Sequence, residues 1–524
     1  MLKRISSVIV FILAMTVQVF AQTPGQKTHE VMAGETLYSL ARANGVTVED
    51  IQKANPSMDI LKTGMIIIIP APKVPTADPT QAAQKKKPNC RTTYTVEKKE
   101  TVYSICKKFG LSMDEFLAAN PQITKEKVKK GEEVCIPFTK SEIEAKRVEK
   151  EKKEKEQEKI EAEKIHRVKS VKVGVILPFG LQAAKLNAES QRMVEMYEGF
   201  LLAVDSLKKG GVNVDVYTFD EKDSNGYIDS LTTSNSIFPY LNIIFGPFRT
   251  NHISQLSAYA SKHDIQLVVP CSSRYGLANN SPNLFQVNTS ENYIYDKVYD
   301  AFASQYAGSN IIFVAMNETE RTDFLNGLKG KLTEKGKEFS NIAFADLDNL
   351  STMLSADQQN VLVPTSSSQN AFEMLCLKLN SMERNKKITT DNITMFGYPL
   401  WQTFSTKNQA NMNKYRVSYF ATFYNNANGW RTVAFTNKFK SYFNRDLIKS
   451  HPKFALLGFD SGYYFIKGMW EYGDKFQRHL DGISMKAYQN PLSFQKVNAS
   501  GGYINKKMII VSHRTDGSVG TQEF

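Results

Sequence analysis

The side chains of this chain that could do covalent chemistry are few and poorly spaced for it. Its seven histidines, from His29 to His513, stand singly, and the patterns H-E-x-x-H, G-x-S-x-G and G-x-x-x-x-G-K-[ST] do not occur. Cys271 precedes Ser272 and Ser273, but a thiol nucleophile needs a base beside it, and neither His252 nor His263 is brought near by sequence proximity alone. Glycan cleavage needs two positioned carboxylates, and no pair stands apart from the 53 acidic residues. What remains is recognition chemistry. Phe248, Arg249 and Thr250 follow one short apolar run, Cys271, Ser272 and Ser273 another, and Asn317, Thr365, Ser366 and Tyr398 end three more. Hydroxyls and free backbone N–H groups at such places suit a small anionic or polar ligand.

The apolar runs themselves must be the strands that position these residues. VKVGVILPF, VNVDVYTFD, LNIIFGP and IQLVVPCSS alternate with amphipathic stretches at 190–209 and 251–262. A second series, NIIFVAMN, NVLVPTS and ITMFGYP, alternates with helical stretches around 324–332 and 372–379. Strand, helix, strand in that rhythm, with both strand faces apolar, predicts parallel doubly wound sheets in two α/β lobes.

Upstream, one pattern is written twice. HEVMAGETLYSLARANGVTVEDIQKANP closes on KTGMIIIIP, and YTVEKKETVYSICKKFGLSMDEFLAANP closes on KKGEEVCIP. Val31 to Asn55 and Val96 to Asn120 are each 24 residues apart, and Gly64 to Pro70 and Gly131 to Pro137 are each 6. Thr36 or Thr101 is placed to cap a helix that buries Leu37 and Leu40, or Val102 and Ile105. Thr47 or Ser112 caps a second helix, which stops at Asn-Pro because proline disfavours the α conformation in the residue before it. A turn at Gly64 or Gly131 then feeds a closing strand, giving β-α-α-β. In this order and wording the repeats resemble the LysM domain, a family of small modules that bind N-acetylglucosamine-containing glycans, chiefly peptidoglycan. The resemblance implies a shallow groove between the loop after the first strand and the loop before the last. That groove would use Gly34, Glu35, Thr36 and Leu37 with Met58, Asp59, Ile60 and Leu61 in the first copy. In the second it would use Lys99, Glu100, Thr101 and Val102 with Gln122, Ile123 and Thr124, and Lys99 in place of Gly34 is expected to alter the loop.

The C-terminal strand ends carry a second resemblance. VGVILPF, a strand closing on Phe219-Asp220, IIFGPFRTN, LVVPCSS, FQVN and the later FALLGFDSGYYFIKGMWEYG are similar to the type I periplasmic-binding-protein fold, the family of branched-chain-amino-acid receptors. It implies a cleft lined by the strand-end residues above, where small polar groups and an acid hold an amino-acid-like ligand. Glu318 is the candidate acid, and Asp460 is expected to cap the helix after it. The combination resembles envelope proteins of Bacteroidetes-type bacteria. The expected role is non-catalytic and without a cofactor: the repeats bind peptidoglycan or another N-acetylglucosamine-containing glycan, and the lobes sense a small ligand or contact an envelope protein. A substrate-binding component of amino-acid transport and a regulator of peptidoglycan synthesis are the alternatives.

The remaining segments fit that plan. Lys3-Arg4, an apolar run over 5–20 and the small Ala21 predict a secretory signal peptide over 1–21, hence a periplasmic or envelope location; no Cys follows the cut, so no lipid anchor is expected. The formal charge of +13 falls to about +11 without Lys3 and Arg4 and suits an anionic wall rather than nucleic acid. At 524 residues the chain needs several cores. The expected division is repeats at 29–70 and 94–137, a flexible linker at 71–93, a charged helical linker at 138–169 and the two-lobed domain at 170–524. The charged linker pairs Glu149 with Lys153 and Glu151 with Lys155 at helical spacing, and as a helix over 140–169 would span about 45 Å. Val148, Ile160 and Ile165 supply no heptad seam. Of five cysteines, strand alternation turns Cys135 away from the side shared by Val134 and Ile136 and favours Cys90–Cys135 among three pairings, with Cys106 a small buried residue matching Ala41.

Overall fold

The computed structural model describes residues 27–71 and 90–524, except Ala33, Ser57, Asp59, residues 124–126 and Thr319. The expected leader, most of the 71–93 linker and the candidate residues Asp59 and Thr124 lie outside the described residues. Two compact units divide the chain, one of Met1–Leu61 and Ile66–Lys164 and one of Lys62–Met65 and Ile165–Phe524. Among the described residues no helix is long and apolar enough to cross a membrane.

Each repeat folds as β-α-α-β. In the first, β1 (Lys27–Glu30) pairs antiparallel with β2 (Ile66–Ile69) around α1 (Leu37–Asn44) and α2 (Val48–Ala54). In the second, β3 (Cys90–Thr95) pairs with β4 (Glu133–Pro137) around α3 (Val102–Phe109) and α4 (Met113–Ala119). All four helices start on a capping box: Thr36 with Ser39, Thr47 with Asp50, Thr101 with Ser104 and Ser112 with Glu115. Each box satisfies two of the N–H groups a helix start leaves open. Gly45 and Gly110 end α1 and α3 in the left-handed conformation, at φ 65° and 66°. Val102, Ile105, Cys106, Phe116, Ile123, Val134 and Ile136 form the second core, and the Sγ atoms of Cys90 and Cys135 are joined in a disulfide.

The charged linker forms α5 (Lys140–Glu163), whose 24 residues make about 36 Å of helix rather than the 45 Å read from the sequence. It stops short of 169 because the following residues join the second unit: the His166 N–H donates to Asp474 Oδ1 at 3.0 Å, and Val168 is buried.

The second unit begins with β5 (Val171–Leu177), α6 (Ala188–Lys209), β6 (Val214–Asp220), α7 (Tyr227–Ser234), β7 (Ile243–Phe245), α8 (Thr250–Lys262), β8 (Gln266–Val269) and β9 (Leu284–Gln286). The second lobe follows with α9 (Tyr295–Gln305), β10 (Asn310–Ala315), α10 (Thr322–Glu334), β11 (Ser340–Ala343), β12 (Asn360–Pro364), α11 (Gln369–Arg384), β13 (Ile393–Gly397), α12 (Gln409–Lys414) and β14 (Ser418–Ala421). Then α13 (Trp430–Phe443) and α14 (Phe454–Tyr472) return to pack on α6, and β15 (Phe494–Lys496), β16 (Tyr503–Asn505), β17 (Ile509–His513) and β18 (Val519–Glu523) complete the sheets.

The sheet orders are β15-β16-β9-β8-β7-β5-β6 and β11-β10-β12-β13-β14-β17-β18. Taking each lobe's strands in chain order, both have the doubly wound order 2-1-3-4-5. The expected all-parallel sheets are corrected in detail: β15 runs antiparallel to β16, and β17 antiparallel to both β14 and β18, so each sheet is mixed. The chain passes between lobes at 287–294, 422–429 and 506–508. The domain is two-lobed and α/β, as the resemblance to type I periplasmic binding proteins implies.

Candidate functional site

In the repeats the groove residues divide into those that build the loop and those left to face solvent. Glu35 Oε2 accepts from the Met32 N–H at 2.8 Å and lies 2.6 Å from His29 Nε2. At the same place in the second copy, Glu100 accepts from the Glu97 N–H at 2.7 Å and from the Tyr94 hydroxyl at 3.0 Å, with Lys108 Nζ 3.7 Å away. These backbone N–H bonds first, and the side-chain partners second, hold both carboxyls below the usual glutamate range. Thr36 and Thr101 are spent as helix caps, accepting from Ser39 N and Ser104 N.

The expectation that Lys99 reshapes the second loop is corrected. Gly34 and Lys99 occupy the same left-handed turn, at φ 86° and 73°, so Lys99 tolerates a conformation that favours glycine and the turn is kept. Val102 and Ile123 are core residues of the second module and Met58 is buried in the first, so their side chains do not offer a contact surface. Gly34, Lys99, Thr101 and Gln122 are exposed, while Leu37, Ile60 and Leu61 are half-buried. Tyr103, outside the expected groove set, sits one residue past Val102, is 67% exposed and matches Tyr38 of the first copy.

Sequence reasoning missed the role of the Asn in Asn-Pro. Asn120 Nδ2 donates to Phe116 O at 2.8 Å and Cys135 O at 2.6 Å, and its Oδ1 accepts from Cys135 N at 2.6 Å. Asn55 makes the same three bonds, to Ile51 O and Ile68 O at 2.7 Å each and from Ile68 N at 2.8 Å. The residue that stops the second helix therefore also staples it to the closing strand.

In the first lobe the expected free N–H groups at the start of α8 are taken from within. The Glu221 carboxylate, one residue past β6 and 4% exposed, accepts from Phe248 N at 2.8 Å and Arg249 N at 3.1 Å, and lies 2.8 Å from His252 Nδ1. An internal anion thus occupies the place at which a ligand's anion would gain from the helix N-terminus. Arg249 pairs outward with Asp223 at 3.2 Å, and Thr250 is exposed. Ser273 is exposed, and the half-buried Ser272 gives its carbonyl to Gln286 Nε2 at 2.9 Å. Cys271 Sγ lies 3.7 Å from Met196 Sδ, and burial first, then the Glu221 charge, pushes its thiol up to about 12, far from a reactive thiolate.

In the second lobe Asn317, Glu318 and Glu320 are all exposed, and Glu320 accepts from the hydroxyls of Ser367 at 2.8 Å and Ser366 at 3.5 Å. Thr365 Oγ1 accepts from Met316 N at 2.9 Å. Tyr398 is fully buried, donates to Pro364 O at 2.7 Å and carries the Arg321 guanidinium 5.4 Å from its ring centre; burial raises its hydroxyl well above the usual range.

Asp460 does not precede a helix but lies inside α14. Its carboxylate accepts from Tyr488 N, Gln489 N and Asn490 N at 2.8–2.9 Å, fastening the 488–490 segment to α14. Gln489 in turn accepts on its side chain from Lys453 N at 2.9 Å and on its carbonyl from Tyr424 N at 3.0 Å, so one residue ties α14 to the end of β14. Cavities of about 290 and 500 Å³ flank this tie, both lined in part by Tyr424 and Gln489.

Residues 29–70 and 94–137 each match the family model described as LysM domain. Searching curated proteins found no match to the chain. Among solved structures, the chain is similar to a putative branched-chain amino acid ABC transporter from Rhodospirillum rubrum, at 13% identity and TM-score 0.47, covering 67% of this chain and 100% of that one. It is similar to LivJ of Streptococcus pneumoniae, a branched-chain amino acid transporter substrate binding protein in complex with isoleucine, at 15% identity and TM-score 0.36, covering 68% and 99%. A third likeness is to full-length LpoA from Haemophilus influenzae, at 12% identity and TM-score 0.43, covering 68% and 60%. The chain therefore contains two LysM domains, and a two-lobed α/β domain follows them.

Proposed function

We infer that this is a non-catalytic envelope protein that holds peptidoglycan, or another N-acetylglucosamine-containing glycan, through its two LysM domains and presents the two-lobed domain for sensing a small ligand or meeting a protein partner. The observation that carries this reading is the shared loop architecture of the repeats. The left-handed turn at Gly34 and Lys99 and the inward-held Glu35 and Glu100 recur in both copies. With the carboxylates engaged inside the loop, the rim offers backbone groups and half-buried apolar side chains, which suits neutral acetamido sugars better than a charged ligand. Two weak sites on one chain hold a polymer through effective concentration. Localisation outside the cytoplasm follows from the proposed substrate and the expected leader.

The test is retention of the full chain on purified sacculi and on chitin beads. Tyr103→Ala, with Lys99→Pro to break the left-handed turn, should release the protein at lower wash stringency while leaving the second unit folded. Retention equal to wild type in both assays, or none by the wild type, sinks the reading.

A further inference from the structure

The 500 Å³ cavity has a lining that neither the repeats nor the strand-end residues explain. One wall is the stretch between α13 and α14, which supplies Lys449, His451 and Lys453; the other, in the second lobe, supplies Gln402 after β13 and Phe423 and Tyr424 after β14. Its volume lies within the range of small-molecule sites. Its lining holds three basic side chains and no Asp or Glu. None of the three makes an ion pair among the described residues, and Lys453 Nζ bonds only the Ile448 carbonyl, at 2.9 Å. Burial and the neighbouring Lys453 hold the His451 imidazole below its usual range; burial first, against the raising pull of the Glu195 carboxylate and with Lys449 also acting, does the same to Lys453. Lys449 and Lys453 converge on a concave surface whose own lining carries no carboxylate, Glu195 acting on Lys453 from outside that lining, and such a surface raises the local concentration of anions.

The other lining groups narrow the anion. Phe423 and Tyr424 are half-buried aromatics able to stack on a ring face, and Gln402 is a neutral amide suited to hydroxyl or acetamido groups. The lining has no carboxylate to take an ammonium, so a zwitterionic amino acid would bring a positive charge to a positive surface. We propose that this cavity binds a carboxylate-bearing sugar without a free amine, the acidic amino sugar of a peptidoglycan fragment being the ligand of that class the chain would meet. The identity of the sugar rests on the wall-binding reading; the preference for a carboxylate without an ammonium does not. Because Gln489 at the cavity's base bonds both Lys453 N and Tyr424 N, a ligand seated there touches both lobes at their joint.

Titration calorimetry on the full chain tests this with three probes: N-acetylmuramic acid, N-acetylglucosamine, which lacks the carboxylate, and leucine, which adds an ammonium. Saturable heat is expected for N-acetylmuramic acid, and Lys449→Gln and Lys453→Gln should each weaken it at least about tenfold. Lys185→Gln, an exposed charge-matched control outside the cavity lining, should leave it unchanged. Melting curves on all variants keep a folding defect distinct from a lost contact. Equal affinity for N-acetylglucosamine or leucine in the part of the heat that the two lysine changes remove, no saturable heat for N-acetylmuramic acid, or insensitivity to both lysine changes overturns the proposal. Sacculus retention measured on the same variants separates the outcomes: kept retention with failed titration removes this site alone, whereas lost retention in the wild type removes the wall reading.

Discussion

Asn120 is wholly buried and answers for three backbone groups, so its removal is a severe test of the second repeat. Asn120→Ala leaves the Cys135 N–H and the Phe116 and Cys135 carbonyls unpaired and should cost about 2–4 kcal/mol, read by urea unfolding of the module's tyrosine signal. The equivalent Asn55 is half-buried, and Asn55→Ala should cost less. Glu35 and Glu100 have depressed carboxyls, so the stability they add is fully present above the unfolded glutamate value of roughly 4.3 and is lost as pH falls through the lower folded value. Melting at pH 6 and pH 3 should show a smaller acid loss for the Glu35→Gln, Glu100→Gln double variant than for wild type. Asp460 has the opposite sign. Burial raises it to about 6, so the folded state holds a proton the unfolded chain has released. Its contribution therefore falls as pH rises from about 4 to 6, by roughly 3 kcal/mol, and is flat above. Urea unfolding at pH 4.5 and 7 should show that slope in wild type and lose it in Asp460→Asn. At this scale the sequence revealed what acts over three or four residues, such as the four helix caps Thr36, Thr47, Thr101 and Ser112, each of which the structure completes as a capping box. The sequence hid Asn120 and Glu221, whose partners lie 15 and 27 or more residues away and are neighbours only once the strands pair.

Among elements, the crossing of α6 and α14 is the tightest contact. A Cβ on Gly199 would fall 1.9 Å from Ala455 O, and one on Gly458 would fall 1.9 Å from Met196 O. Either Gly199→Ala or Gly458→Ala must push the helices apart, and each should destabilise the second unit by about 3 kcal/mol or more in urea. Gly330, exposed in α10 with nothing within 4 Å of an added Cβ, gives the contrast: Gly330→Ala should stabilise by about 0.5–1 kcal/mol. The long apolar strands β5, β10 and β13 were legible from their composition, and α6 from its period. The strands β14 and β15 to β18 were not, since they lie outside the strand-helix alternation and the pairing of each is fixed by the lobe it joins. For the same reason the 500 Å³ cavity was invisible: its walls come from residues 402, 423–424 and 449–453, which no spacing rule connects.

For the whole chain, the proposed wall binding requires the two repeats to act together. Disabling one repeat's loop should lower sacculus retention far more than twofold, approaching about a hundredfold if both modules reach one strand, as effective concentration requires. Equal halves of binding from each repeat would argue that they engage separate polymers. The composition of α5 bears on the intact molecule in a different way. A helix of Glu and Lys with pairs such as Glu149 and Lys153 at 2.6 Å rests on exposed contacts that add little stability and fade with salt. Lacking an apolar face, it opens locally at little expense and offers trypsin a dense row of lysines. Limited digestion should therefore nick the polypeptide first within 140–163, sooner in high ionic strength, and shed the paired repeats from a resistant fragment that begins near Ile165.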